Sequence, residues 1–179
     1  MSPAAPSPGE LTGSWTLIAG EVNSGKTRLL RQIIAAFAAQ GAGPLALVDM
    51  APAATRGVGG KLSPPPGVEL TLYAPPMAAP RLTGQTPEQV RALARRNAAR
   101  LEEVFAAYLA APAAVLFIND VSLYLQAGDP ARLYAVLEAT PTVVINGYMG
   151  GSLGGGELGR VEQERMRQLA ARCARVIRL

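Results

Sequence analysis

Trp15 to Ala19 is a short apolar, β-favouring run. Glycines and small polar residues follow it, and then Leu29, Leu30, Ile33, Ile34 and Phe37 recur at helical spacing. Gly41 and Gly43 stop that helix, and Leu45 to Met50 is a second apolar strand carrying Asp49 near its end. The opening order is therefore strand, helix, strand. From 51 to 87 the pattern changes: Pro64 to Pro66, Pro75 and Pro76, and Gly57, Gly59 and Gly60 let no helix run through it and predict an irregular insertion. Within it Val68, Leu70 and Leu72 alternate with Glu69, Thr71 and Tyr73, the pattern of an edge strand.

Thr86, Pro87 and Gln89 supply a cap, a first-turn proline and a capping-box partner. Val90, Leu93, Ala94, Leu101, Val104, Phe105 and Tyr108 then form one apolar stripe, which ends at Pro112. Ala114 to Ile118 reads as a buried strand leading into Asn119 and Asp120. Asp129 and Pro130 open a short helix, and Thr142 to Ile145 forms a further strand ending at Asn146. Gly147 to Gly159 reads as a glycine-rich loop. A helix follows with Val161, Met166, Leu169, Ala170 and Cys173 inward, and Arg175 to Leu179 is a last strand. Strands alternating with helices predict an α/β fold with a mostly parallel sheet, helices on both faces and right-handed crossovers.

Composition sharpens this picture. Hydrophobic residues make up 49% of the 179 residues but aromatics only 5%, so the core must come from Ala, Leu, Val and Ile, as suits helices on a parallel sheet. The length predicts one domain over 14–179, preceded by a Pro-, Ala- and Ser-rich tail over 1–13 that lacks the charged start and apolar stretch of a signal peptide. The lone Cys173 and the absence of histidine remove internal disulfides and the usual Cys/His metal sets, and point to a reducing cytoplasm. The longest apolar run, Val104 to Ile118, is broken by Pro112 and falls short of the about 20 residues of a membrane-spanning helix. Net charge is +4, but Arg91, Arg95, Arg96 and Arg100 lie opposite the apolar stripe, so a solvated face accounts for them and nucleic acid is not expected as a partner.

The chemistry concentrates between the first strand and the first helix. Gly20, Glu21, Val22, Asn23, Ser24, Gly25, Lys26 and Thr27 match the G-x-x-x-x-G-K-[ST] pattern at every fixed position, with Arg28 continuing into the helix. In this setting the segment resembles the phosphate-binding loop of the P-loop NTPase superfamily, and Val115 to Asp120 (VLFIND) resembles its Walker B strand. The resemblance implies a three-layer fold with a five-stranded sheet in the order 5-1-4-3-2 and an insertion over 51–87. It further implies binding of ATP or GTP with Mg²⁺ on residues 20–28, where Lys26 reaches the β and γ phosphates and Thr27 and Asp120 serve the metal.

Asp49 is the alternative acid, and a turn or helix cap is the plainer role for Asp120. In the class with an extra strand between the two Walker strands, a polar residue at the place of Asn146 senses the γ-phosphate; a turn role is the alternative. Val121 stands where rapid hydrolases of that class carry Glu, leaving Glu21 and Asn119 as substitutes for orienting water, and the expected turnover is slow. Arg56 to Lys61 offers flexible backbone and paired cations for a second phosphate, and 147–159 with Arg160 a lid, although exposed loops explain both. The chain looks most like small stand-alone nucleoside triphosphatases. A phosphotransferase using 51–87 to hold an acceptor, a nucleotide-dependent switch, and a subunit activated by a protein partner or by self-association are the alternatives.

Overall fold

The computed structural model describes residues 5–154 and 156–179. Six strands form one open, all-parallel sheet: β1 Trp15–Gly20, β2 Leu45–Asp49, β3 Thr71–Tyr73, β4 Val115–Asn119, β5 Thr142–Tyr148 and β6 Arg175–Arg178, in the order β3-β2-β4-β5-β1-β6. The helices are α1 Pro8–Leu11, α2 Lys26–Ala39, α3 Pro80–Thr83, α4 Pro87–Ala110, α5 Ser122–Leu125, α6 Pro130–Glu138 and α7 Gly156–Arg172.

Strand parity divides the core in two. Leu17, Ala46, Val48, Leu116, Ile118, Val143 and Ile145 face α4 to α7, where Leu101, Phe105, Leu133, Val136, Met166 and Leu169 cover them. Ile18, Leu45, Leu47, Val115, Phe117 and Val144 face α2, whose Leu29, Leu30, Ile33, Ile34 and Phe37 are all buried. At roughly 1.5–3 kcal/mol for each large apolar side chain removed from water, this one helix face contributes a substantial part of the folding drive. Phe37 meets Phe117 edge-on at 5.6 Å between ring centres.

Four expectations are corrected. The sheet has six strands rather than five, because Thr71–Tyr73 pairs with β2 at the sheet edge. The expected tail contains α1, closed by a Ser7–Glu10 capping box and anchored by the fully buried Leu11; residues 1–4 of that expected tail lie outside the described residues. The 51–87 insertion holds one helical turn, α3, which starts on Pro80. The glycine-rich loop is shorter than 147–159, since β5 runs on through Gly147 and Tyr148 and α7 begins at Gly156. Gly147 pairs with Ala19 of β1, and glycine is required there because a Cβ would press on Met166 and Val121. No helix among the described residues is long and apolar enough to cross a membrane.

Candidate functional site

Parity also assembles the site. Asp49 shares a sheet face with Leu45 and Leu47, Asn119 with Val115 and Phe117, and Asn146 with Val144, all on the α2 side. Asp49 pairs in register with Asn119, and Ile118 with Ile145, so three polar side chains stand in a row on β2, β4 and β5 beneath the start of α2. Buried polar groups persist only when bonded, and these are. Asn119 Nδ2 donates to Asp49 Oδ1 at 2.8 Å, Asn146 Nδ2 donates to Asn119 Oδ1 at 2.9 Å, and Thr27 Oγ1 donates to the same Asn119 oxygen at 3.2 Å.

Asp49, the alternative acid, is spent within this row. It is 1% exposed, and its carboxylate also accepts the N–H groups of Ala51 and Leu62 at 3.1 and 2.8 Å, clasping the insertion to the sheet. Asn119 is fully buried with both amide atoms engaged, so it positions Thr27 rather than water.

Above the row, the 20–27 loop bends through Asn23 at φ 57° and Gly25 at φ 95°, and α2 starts at Lys26 with no side chain capping its first N–H groups. Those amides and the helix dipole favour an anion. Lys26 Nζ curls back onto its own loop, donating to the Gly20 carbonyl at 3.0 Å, to the Glu21 carbonyl, and to Ser24 Oγ at 3.4 Å. Burial lowers the Lys26 pKa, against the pull of Asp120 and Glu21.

A cavity of about 410 Å³ opens in front of this loop, lined by Val22 to Arg28, by Lys61 and Arg81 from the insertion, and by Asp120, Gln126, Asn146, Tyr148 and Glu162. Asp120 takes a left-handed turn at φ 61°; its N–H is held by Asn146 Oδ1 at 2.6 Å, and its Oδ1 accepts from Ser122 Oγ at 2.6 Å. Burial raises its pKa, opposed by the Ser122 bond and the charges of Lys26 and Arg81.

The structure thus gathers Lys26, Thr27, Asp120 and Asn146 around one cavity, with Val22, Asn23, Ser24, Gly25 and Arg28. Asn146 reaches it with both amide atoms committed, so any effect it has on a ligand passes through Asp120. Gly20 and Glu21 lie outside the lining. Glu21 points away, accepting from Gly151 N–H and Ser152 Oγ, each at 2.6 Å, and so ties the loop to 149–154. Of the 56–61 segment, Val58 to Lys61 line the cavity while Arg56 does not, and Arg160 is exposed away from it.

Sequence reasoning missed Arg81, Gln126, Glu162 and Asn97. Two of these left a signal: Asn97 interrupts the apolar stripe of α4 between Ala94 and Leu101, and Glu162 shares the inward phase of α7 with Met166 and Leu169. Asn97 is fully buried and exchanges hydrogen bonds with the backbone of Ala78, at 2.9 and 3.0 Å, which fixes the approach to α3. Arg81 then meets Glu162 at 2.6 Å, with the two side chains 13% and 1% exposed. Burial pushes the Glu162 carboxyl up to about 7, against the stabilising charge of Arg81 and the hydrogen bond from Gln126.

The groups facing the loop include hydroxyl, carboxylate and amide oxygens, a donor set that suits a hard cation such as Mg²⁺. The Thr27 hydroxyl and the Asp120 carboxylate are its candidate protein ligands. No group of three His, Cys, Asp or Glu side chains forms a metal cage among the described residues, so such an ion would complete its shell with phosphate and water oxygens. A scan against protein-family models and a search of curated proteins each return no match for this chain.

Proposed function

We propose that the chain is a P-loop protein that binds ATP or GTP with Mg²⁺ and hydrolyses it slowly. The observation that carries this reading is the uncapped start of α2, with its two left-handed loop residues and its half-buried lysine, opening on a cavity that also holds Asp120. Further support comes from the strand order. With edge strand β3 set aside it runs β6-β1-β5-β4-β2, the arrangement that the resemblance implies.

The residues act as follows. Phosphate oxygens replace the loop carbonyls and Ser24 as partners of Lys26, so that a lysine disfavoured by burial regains full charge. The amides at the start of α2 hold the phosphate chain, and Lys26 stabilises charge that develops as the β–γ bond breaks. The Thr27 hydroxyl, which donates to Asn119 here, and the Asp120 carboxylate would hold the metal. Bound there, Mg²⁺ would neutralise phosphate charge. Val121, next to Asp120, cannot accept a proton, and Asn119 and Asn146 are committed to their own hydrogen bonds, so water is oriented without a dedicated base and the rate stays low.

Phosphotransfer to a small acceptor is the second reading, favoured by Ala51, Pro52, Val58 to Lys61 and Ala79 to Leu82 lining the cavity. Against it, the one acid beside these segments at the end of β2, Asp49, has its carboxylate fully engaged and is not free to meet an acceptor.

Thermal shift with ATP, GTP and their diphosphates, with and without Mg²⁺, tests the proposal. Ligand at 100 times Kd adds about 2.7 kcal/mol to stability. No stabilisation by any nucleotide at millimolar concentration would sink both readings. Loss of ATP that depends on an added acceptor would replace the first by the second.

A further inference from the structure

We propose that the cavity between α4 and the start of α7 is a second binding site, which takes a small organic anion with an apolar body. It is separate from the phosphate loop and goes beyond the nucleotide reading.

Of the four arginines along α4, Arg91 and Arg95 stand one turn apart and border a cavity of about 660 Å³, whereas Arg96 and Arg100 do not. Arg100 instead donates to the Pro76 carbonyl at 2.7 Å. The cavity shares Arg81, Gln126 and Leu153 with the one in front of the phosphate loop, so these three side chains form the partition between the two. Arg81 stands 2.6 Å from the Glu162 carboxylate, to which Gln126 Nε2 donates at 2.8 Å, and this pairing holds the partition in place.

The lining calls for an apolar body. Val90, Ala127, Leu153, Leu158 and Val161 face this space and are each only half-buried. They come from α4, from the turn after α5, from the 149–154 loop and from α7, so four separate segments converge on one place that the fold leaves unfilled. A volume of about 300–1,000 Å³ with a mostly apolar lining and a few placed polar groups is typical of small-molecule sites.

Charge sets the sign of the ligand. Three guanidinium groups, those of Arg81, Arg91 and Arg95, line the cavity against a single carboxylate, that of Glu157. Glu157 meets Arg91 at 3.4 Å with the side chains 73% and 41% exposed, a pair that water already screens and that a ligand displaces at little cost. Arg95 is exposed and enters no ion pair among the described residues. Thr86 and Pro87, at the start of the 24-residue α4, lie on the same wall, where the helix dipole adds partial positive charge. With Arg81 spent on Glu162, Arg91 and Arg95 are the groups left to grip an acidic oxygen pair. A bare inorganic ion or a polyanionic chain would leave Val90, Leu158 and Val161 in water. The ligand that matches both features carries one acidic group on an aromatic or aliphatic body.

The test uses the full chain without nucleotide, so failure of the nucleotide reading leaves its outcome untouched. Naphthoate is the probe, with Kd read by calorimetry and the site read from amide shifts of isotope-labelled protein. Saturable binding is expected, with the largest shifts at 84–91 and 156–161 rather than at 20–28. The double variant Arg91→Ala/Arg95→Ala should raise the naphthoate Kd by about 10-fold or more, the factor that accompanies loss of a charge-assisted hydrogen bond, at a melting temperature close to wild type. Naphthylmethanol, which has the body without the charge, and acetate, which has the charge without the body, should each bind at least about 10-fold more weakly. Lys26→Ala, which removes the cation of the phosphate loop, should leave the naphthoate Kd within about 2-fold. Equal affinity for either analogue, an unchanged Kd in the double variant, or no saturable binding at millimolar naphthoate overturns the proposal. So does loss of binding in Lys26→Ala, which would place the probe at the phosphate loop.

Discussion

Single residues at the top of the sheet divide sharply by what their atoms are already doing. Asp49 gives its carboxylate to three N–H donors, whereas among the described residues the Asp120 carboxylate accepts from Ser122 alone and faces the cavity. Asp49→Asn is therefore expected to cost stability, about 1–3 kcal/mol, because an NH₂ group must face N–H donors in a buried site. Asp120→Asn should leave the melting temperature close to wild type and remove most Mg²⁺-dependent turnover. Paired urea melts and phosphate-release assays check both, and the reverse ranking would move the functional acid to Asp49. Lys26→Ala should abolish nucleotide-induced stabilisation in a folded protein, since its amine is the one cation within the loop itself.

Glu162 gives a pH prediction at the same scale. Its native pKa, about 7, lies above the ordinary 4.5, so the folded state keeps a proton that the unfolded chain has released. The stability this supplies is fully present below about 4.5 and is lost as pH rises through about 7. Glu162→Gln removes that loss. The stability of the variant relative to wild type should therefore rise between pH 5 and 8, measured by urea melts across that range. A flat difference would mean that Glu162 stays ionised throughout beside Arg81.

Among the elements, those that build the site are short and held by tertiary partners. The 149–154 loop hangs on Glu21, whose carboxylate would collide with a Cβ at Gly150. Gly150→Ala should free this loop, raising amide exchange at Gly151 while exchange in β1 and β5 stays slow. Unchanged exchange at Gly151 would mean that the Glu21 contact does not hold the loop. Helix α3 depends likewise on Asn97.

These elements also show how far the sequence can be read. The start of α2, the long α4 and the apolar strands follow from local periodicity and caps, which act within a few residues. The α3 turn and the true ends of the glycine loop do not. A four-residue helix has no periodicity to detect, and Gly147 and Gly156 to Gly159 carry a loop composition although packing places them in a strand and a helix.

For the whole molecule, two cores on opposite faces of one sheet make the fold, and α1 closes the end of the α2-side core through Leu11. A tail would tolerate substitution there. A buried Leu does not, and Leu11→Ala should cost about 2–5 kcal/mol in a chemical melt. A cost below about 0.5 kcal/mol would restore the reading of 5–13 as a loose tail.

The sequence alone determined the α/β alternation, the faces of the strands, and the loop of glycines with Lys26 and Thr27. Each of these is written in residues close together in the chain, where turn chemistry and side-chain period act directly. Tertiary structure decided which polar residues meet. Asp49 and Asn119 stand 70 residues apart, Glu21 and Gly151 130 apart, and Arg81 and Glu162 81 apart. No local signal marks such pairs. Which buried carboxylate is spent on structure and which is left facing the cavity follows from sheet register and from the path of the insertion, and these exist only once the sheet has closed against its helices.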